Sequence, residues 1–133
     1  MTERATICVD LDGVLASWDH GTFGTIGPPI PGAAEFSHRL GEMGQVVIYT
    51  CRCTEELYRP LRAHLLANAV RDWLTEHGFH FDHIWIGQGK PVADVYIDDR
   101  AVSCRPEHDP LAFARVECKA AAMIGKKAES CQT

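Results

Sequence analysis

The chain has 133 residues, the size of one ordinary domain, and is 46% hydrophobic and 23% charged, as globular proteins are. Its net charge of −5 argues against a general nucleic-acid surface, although it leaves room for a local anion pocket. No apolar run approaches the roughly 20 residues of a membrane span, and Met1-Thr2-Glu3-Arg4 leads straight into a short strand without a signal-peptide layout. The expectation is a cytoplasmic protein with no membrane partner. The six cysteines form no Cys-x-x-Cys pair and are expected to be reduced thiols.

Residues 5–10 read as a buried strand that runs into two acids, Asp10 and Asp12, and then Gly13, which permits a tight turn. If the strand continued, alternation would put both acids on one face. Residues 16–31 hold three glycines and three prolines, which excludes a regular helix and predicts a loop or small flap, with Trp18 and Phe23 as apolar patches on its underside. A helix is expected over 32–43, with Ala33, Phe36, Leu40 and Met43 facing inward and Gly44 as its stop. Residues 46–50 form the strongest strand in the chain, β-branched and uninterrupted.

Residues 51–59 read as a loop with one helical turn capped by Thr54. Pro60 starts a long helix to about His77, with Leu61, Leu65, Ala69 and Trp73 as its inner stripe and Leu66, Val70 and Leu74 alongside. Gly78 ends it. A short third strand falls within 81–86, and a fourth covers 92–98 with Val95 and Ile97 as its apolar residues. Asp109-Pro110 opens a last helix, which is expected to stop at Gly125 and leave 126–133 as a frayed tail.

Strands alternating with helices predict an α/β fold with a mostly parallel sheet in a single domain, 1–133. Crossover rules place the first strand centrally, the second and third on one side and the fourth on the other. Ligands of such sheets bind beyond the carboxyl ends of the strands. Standing there are Asp10 and Asp12 after the first strand, Thr50 after the second, and Asp98 and Asp99 after the fourth, with Lys90 just ahead of the fourth. Four carboxylates in one crevice repel one another, and a hard divalent cation such as Mg²⁺ resolves the repulsion. Carboxylate nucleophile, cation, hydroxyl and ammonium together suit phosphoryl chemistry.

Asp10-Leu11-Asp12-Gly13-Val14-Leu15, Ile48-Tyr49-Thr50, Gly89-Lys90-Pro91 and Tyr96-Ile97-Asp98-Asp99 resemble, in order, the four motifs of the haloacid dehalogenase (HAD) superfamily. The resemblance implies a three-layer Rossmann-like domain and a phosphatase that works through an aspartyl phosphate with Mg²⁺. It makes Asp10 the nucleophile and Asp12 the acid and then the base, with the Asp12 main-chain carbonyl on the cation. Thr50 and Lys90 would bind the phosphoryl group, Lys90 would restrain Asp10, Asp98 would ligate the cation directly, and Asp99 would ligate it through water or orient Lys90. Neither insertion point of the superfamily holds a cap domain here, so the chain resembles a capless or minimally capped member. Such members act on large substrates or close the site with a partner subunit, which allows a homo-oligomer. Alternatively, the 16–31 flap and the 51–60 loop suffice for a small phosphomonoester.

For contacts to the leaving group, His20, Arg52, Arg59 and Arg100 are candidates. Arg52 leads because it follows Thr50 and Cys51 directly, and Cys51-Arg52 is taken with Thr50 as substrate-binding. His77, His80 and His83 straddle a helix end, a turn and a strand start, and read as structural rather than as a metal site. Two other functions fit the same residues. A receiver-type phospho-acceptor domain would need an acid after the third strand, where Ile86-Gly87 stand. A non-catalytic Mg²⁺- or phosphate-binding module of the same fold is the other.

Overall fold

The computed structural model describes residues 4–18, 25–53, 60–87 and 89–132, with side chains at 60–63 and 126–132 left aside. Two compact units divide the chain, Met1–Asp99 and Arg100–Thr133. The first holds β1 (Ala5–Val9), α1 (Ala33–Met43), β2 (Gly44–Ile48), a 3₁₀ turn (Cys51–Cys53), α2 (Pro60–Glu76), β3 (His83–Ile84) and β4 (Val95–Ile97). The second holds α3 (Ala112–Gln132).

The four strands form one sheet in the order β3-β2-β1-β4, and every pairing is parallel. This is the arrangement that the crossover rules predict, with β1 central. Ile7 and Val9 of β1 lie beside Val46 and Ile48 of β2. These four join Leu40, Ala67, Val70, Leu74 and Phe79 in one buried cluster. Each large aliphatic side chain in it contributes about 1.5–3 kcal/mol by leaving water. Cys8 and Val47, the alternate residues of the same two strands, are buried as well.

At the amino edge of the sheet, acids do structural work. Asp94 accepts the Thr6 N–H through its carboxylate at 2.8 Å and donates its own N–H to the Thr6 carbonyl at 2.9 Å. Asp82 repeats the pattern on Val46, at 2.7 and 2.8 Å. The Val46 N–H, with smaller help from His80, holds the Asp82 carboxyl below its ordinary range. Each acid takes a backbone N–H one residue ahead of where the neighbouring strand begins to pair.

Several expectations need correction. β2 begins at Gly44, not at residue 46, so the glycine that ends α1 is also the first residue of the strand. Its backbone is extended, and a Cβ there would stand 2.5 Å from the Ala5 carbonyl oxygen, so glycine is needed for strand approach rather than for a left-handed cap. Met43, expected inside, is 69% exposed, while Ser37 is buried. The Ser37 hydroxyl donates to the Ala34 carbonyl and accepts the His80 N–H, which ties α1 to the segment ahead of β3.

The inner face of α2 runs through Leu66, Ala67, Val70, Trp73 and Leu74. Trp73 and the flanking Leu66, Val70 and Leu74 pack as expected, but Leu65 is 69% exposed and Ala69 is exposed. β3 lies within 81–86 as expected but ends at Ile84, β4 is shorter than 92–98, and Val95 is half exposed. The Asp109 carboxylate accepts the Leu111 N–H at 2.9 Å, as an N-cap does, but helical geometry starts at Ala112. Gly125 does not stop α3, whose backbone stays helical to Gln132 where a frayed tail was expected. A lone glycine weakens a helix by about 1 kcal/mol without ending it when alanines surround it and no proline follows.

Among the described residues no helix is long and apolar enough to cross a membrane. The five described cysteines are free thiols, as expected. Phe23, His20, Arg59 and the Thr54 cap lie outside the described residues.

Candidate active site

The sheet ladder continues one step past the strands. Tyr49 N–H donates to the Val9 carbonyl and Asp10 N–H to the Ile97 carbonyl, both at 2.9 Å. Asp10 is therefore fixed beside the end of β4, where Asp98 and Asp99 follow. One oxygen from each of these three carboxylates lies within 4.8 Å of the other two. Burial and the charges of Asp98 and Asp99 push Asp10 up to about 7, with a smaller push from Asp12. The Leu11 N–H, at 2.9 Å, opposes the shift. The charged neighbours that shift Asp10 are all acids, so its own carboxyl gains most from a cation bound nearby.

The donor set fits one. Three carboxylates converge at the edge of a parallel sheet, and hard oxygen donors of this kind suit a divalent cation such as Mg²⁺. Gly13 supplies the room. Its φ is +88°, and a Cβ there would stand 2.2 Å from Oδ2 of Asp99, so the turn after β1 needs glycine for both its backbone and its neighbour. That second requirement was not visible in the sequence.

Asp12 parts from Asp10. β1 ends at Val9 and the chain folds into a turn in which Leu15 and Ala16 N–H both donate to the Leu11 carbonyl. Leu11 drops into the core with no exposure. The Asp12 carboxylate takes a different partner: Arg52 Nε donates to its Oδ2 at 2.7 Å and Nη2 to its Oδ1 at 2.9 Å. The side chains of this pair are 4% and 10% exposed.

Thr50 is buried just beyond β2. Its carbonyl accepts the Cys53 N–H and its hydroxyl accepts the Arg52 N–H, closing the 3₁₀ turn. Cys51 is exposed there. Its thiol is pushed up by burial and by the fields of Asp12 and Asp10, against the opposing Arg52, so a reactive thiolate is not favoured. Burial also raises Cys53, to about 11. Lys90 stands elsewhere: its ammonium lies 3.9 Å from the centre of the Tyr96 ring, and Tyr96 is the register neighbour of Cys8. Arg100 is exposed.

The expected flap is anchored by short backbone pairings. Ala16 bridges to Asp12 on one side and to Pro29 on the other. Ser17 N–H donates to the Pro28 carbonyl and Ile30 N–H to the Leu15 carbonyl. Trp18 turns its ring toward Arg52, with the guanidinium carbon 5.9 Å from the ring centre. A cleft of about 600 Å³ lies elsewhere, lined by Val47, His83, Ile84, Trp85, Ile86 and Pro91 among others, and no motif carboxylate borders it.

No protein-family model matches the chain, and no curated protein matches it. Among solved structures, it is similar to a conserved protein from Bacteroides thetaiotaomicron. The two share 25% sequence identity and a TM-score of 0.52, over 75% of this chain and 79% of the other. The likeness agrees with an α/β Rossmann-like fold built on a parallel sheet.

Proposed function

We propose that the chain is a HAD-like phosphatase, a Mg²⁺-dependent phosphomonoester hydrolase that forms an aspartyl phosphate on Asp10. The observation that carries this reading is the meeting of Asp10, Asp98 and Asp99, oxygens within 4.8 Å, at the carboxyl ends of two adjacent parallel strands. The ordered resemblance of the four motifs to those of the superfamily supports it. The core is read as three-layered and without a cap domain, and the substrate as a phosphorylated small molecule or macromolecule.

Asp98 and Asp99, with Asp10 and the main-chain carbonyl of Asp12, would hold Mg²⁺. Bound there, the ion offsets the repulsion between carboxylates and an incoming phosphate dianion. One oxygen of Asp10 attacks phosphorus, and the bond from phosphorus to the ester oxygen breaks. The departing oxygen takes a proton from the Asp12 carboxyl. Water then attacks the phosphorus of the aspartyl phosphate and gives a proton back to Asp12. The bond from phosphorus to Asp10 breaks and inorganic phosphate leaves. Thr50 would orient phosphoryl oxygens through its hydroxyl, as its motif implies. Lys90 takes the role its motif implies only if its ammonium leaves the Tyr96 ring.

A receiver-type domain fits less well, because Trp85 and Ile86 follow β3 where an acceptor carboxylate would be needed. The test is hydrolysis of p-nitrophenyl phosphate by wild type and Asp10→Asn, with Mg²⁺ or with EDTA. Wild type should turn over only with the metal, and Asp10→Asn should give neither turnover nor acid-stable phosphoprotein. Activity that survives either the substitution or chelation would refute the mechanism.

A further inference from the structure

Arg52 is expected from the sequence to meet the substrate. Its surroundings point elsewhere. The side chain is 4% exposed, and two nitrogens of its fork lie on both oxygens of Asp12 at 2.7 and 2.9 Å. Nη2 reaches the Thr25 carbonyl at 3.3 Å as well, and the guanidinium lies near the ring of Trp18. The 3₁₀ turn closed by Thr50 fixes where the side chain starts.

We propose that Arg52 is a positioning residue that acts through Asp12, and is not a substrate ligand. The inference rests on the phosphatase reading, in which Asp12 moves the proton. A lone aspartate at a turn can rotate about both side-chain torsions. A two-point fork fixes the plane of its carboxylate and therefore the direction from which a proton is given or taken. Lysine, with a single compact charge, cannot fix a plane. The Thr25 carbonyl and the Trp18 ring hold the same guanidinium, so Arg52 is itself fixed by more than Asp12.

The test compares full-length wild type, Arg52→Met, Arg52→Lys, Asp12→Asn and the Asp12→Asn/Arg52→Met double variant on a series from p-nitrophenyl phosphate to simple alkyl phosphates. A positioning role predicts that Arg52→Met lowers kcat by about tenfold or more, on the scale of proton-transfer catalysis, while KM stays within about twofold. The deficit should grow as the leaving group becomes more basic, in parallel with Asp12→Asn. In the Asp12→Asn background the second change should cost less than about twofold, since residues that act as a unit are not additive. Arg52→Lys should recover only part of the loss. Urea unfolding identifies any variant that has lost its fold, and if Arg52→Met has, Arg52→Lys carries the comparison of kcat with KM. A raised KM at unchanged kcat, or full additivity, overturns the proposal while leaving the phosphatase reading intact. Absence of turnover by wild type on every ester overturns both.

Discussion

The empty side of Gly13 faces the carboxylate of Asp99, and a methyl group there would stand 2.2 Å from its Oδ2. Gly13→Ala must therefore displace Asp99 or shift the turn, and must also hold alanine at a φ near +88°. The expected result is a loss of Mg²⁺ affinity of at least about tenfold, together with a destabilisation of about 1–3 kcal/mol. Isothermal titration with Mg²⁺ and a denaturant melt measure the two effects separately.

Asp10 makes stability depend on pH. Its folded-state value near 7 lies above the ordinary 3.8, so between these limits the folded protein holds a proton that the unfolded chain has released. Its contribution is full below about 4 and is lost as pH rises through 7. In EDTA, the melting temperature of wild type should fall relative to Asp10→Asn as pH rises from 4 to 8. Mg²⁺ should raise the melting temperature of wild type more at pH 8 than at pH 5, because only the ionised carboxylates bind it. A pH-independent difference between wild type and Asp10→Asn would contradict the geometry of the cluster.

Two leucines on α2, both expected on its inner side, end in opposite environments. Leu74 has no exposure and Leu65 is 69% exposed. Leu74→Ala should cost about 2–5 kcal/mol, whereas Leu65→Ala should stay within about 0.5 kcal/mol. Equilibrium urea unfolding distinguishes them.

Gly125 lies inside α3, and a Cβ there would meet nothing within 4 Å. Gly125→Ala should stabilise α3 by about 0.5–1 kcal/mol and raise the helical signal in circular dichroism. A helix that ended at Ile124 would not respond.

The path of the sheet was legible because its signals are local. An apolar run into acids marks the end of β1, and short-range connection rules then order all four strands. Partner choice was not legible, because it is settled across the fold. Asp10 and Asp12 stand two residues apart, yet one joins Asp98 and Asp99 while the other joins Arg52. Lys90, read as a phosphate ligand, rests on an aromatic ring of the neighbouring strand. The phase of α2 was ambiguous because Leu65 and Leu66 are adjacent: periodicity specifies the spacing of a stripe but not which of two neighbours begins it. Asp82 and Asp94 look in sequence like any other acid near a strand, and only the register shows that they close the amino edge of the sheet.

Met43 ends α1 and Gly44 begins β2, with no residue between them. The joint tolerates no added length without breaking the Gly44–Ala5 register, since the two backbones already touch there. The carboxyl edge is built the other way. There, 23 residues separate β1 from α1, and 11 separate β2 from α2. That edge borders the carboxylate cluster, so a lineage could remodel what the site admits without disturbing the ladder that holds Asp10 in place.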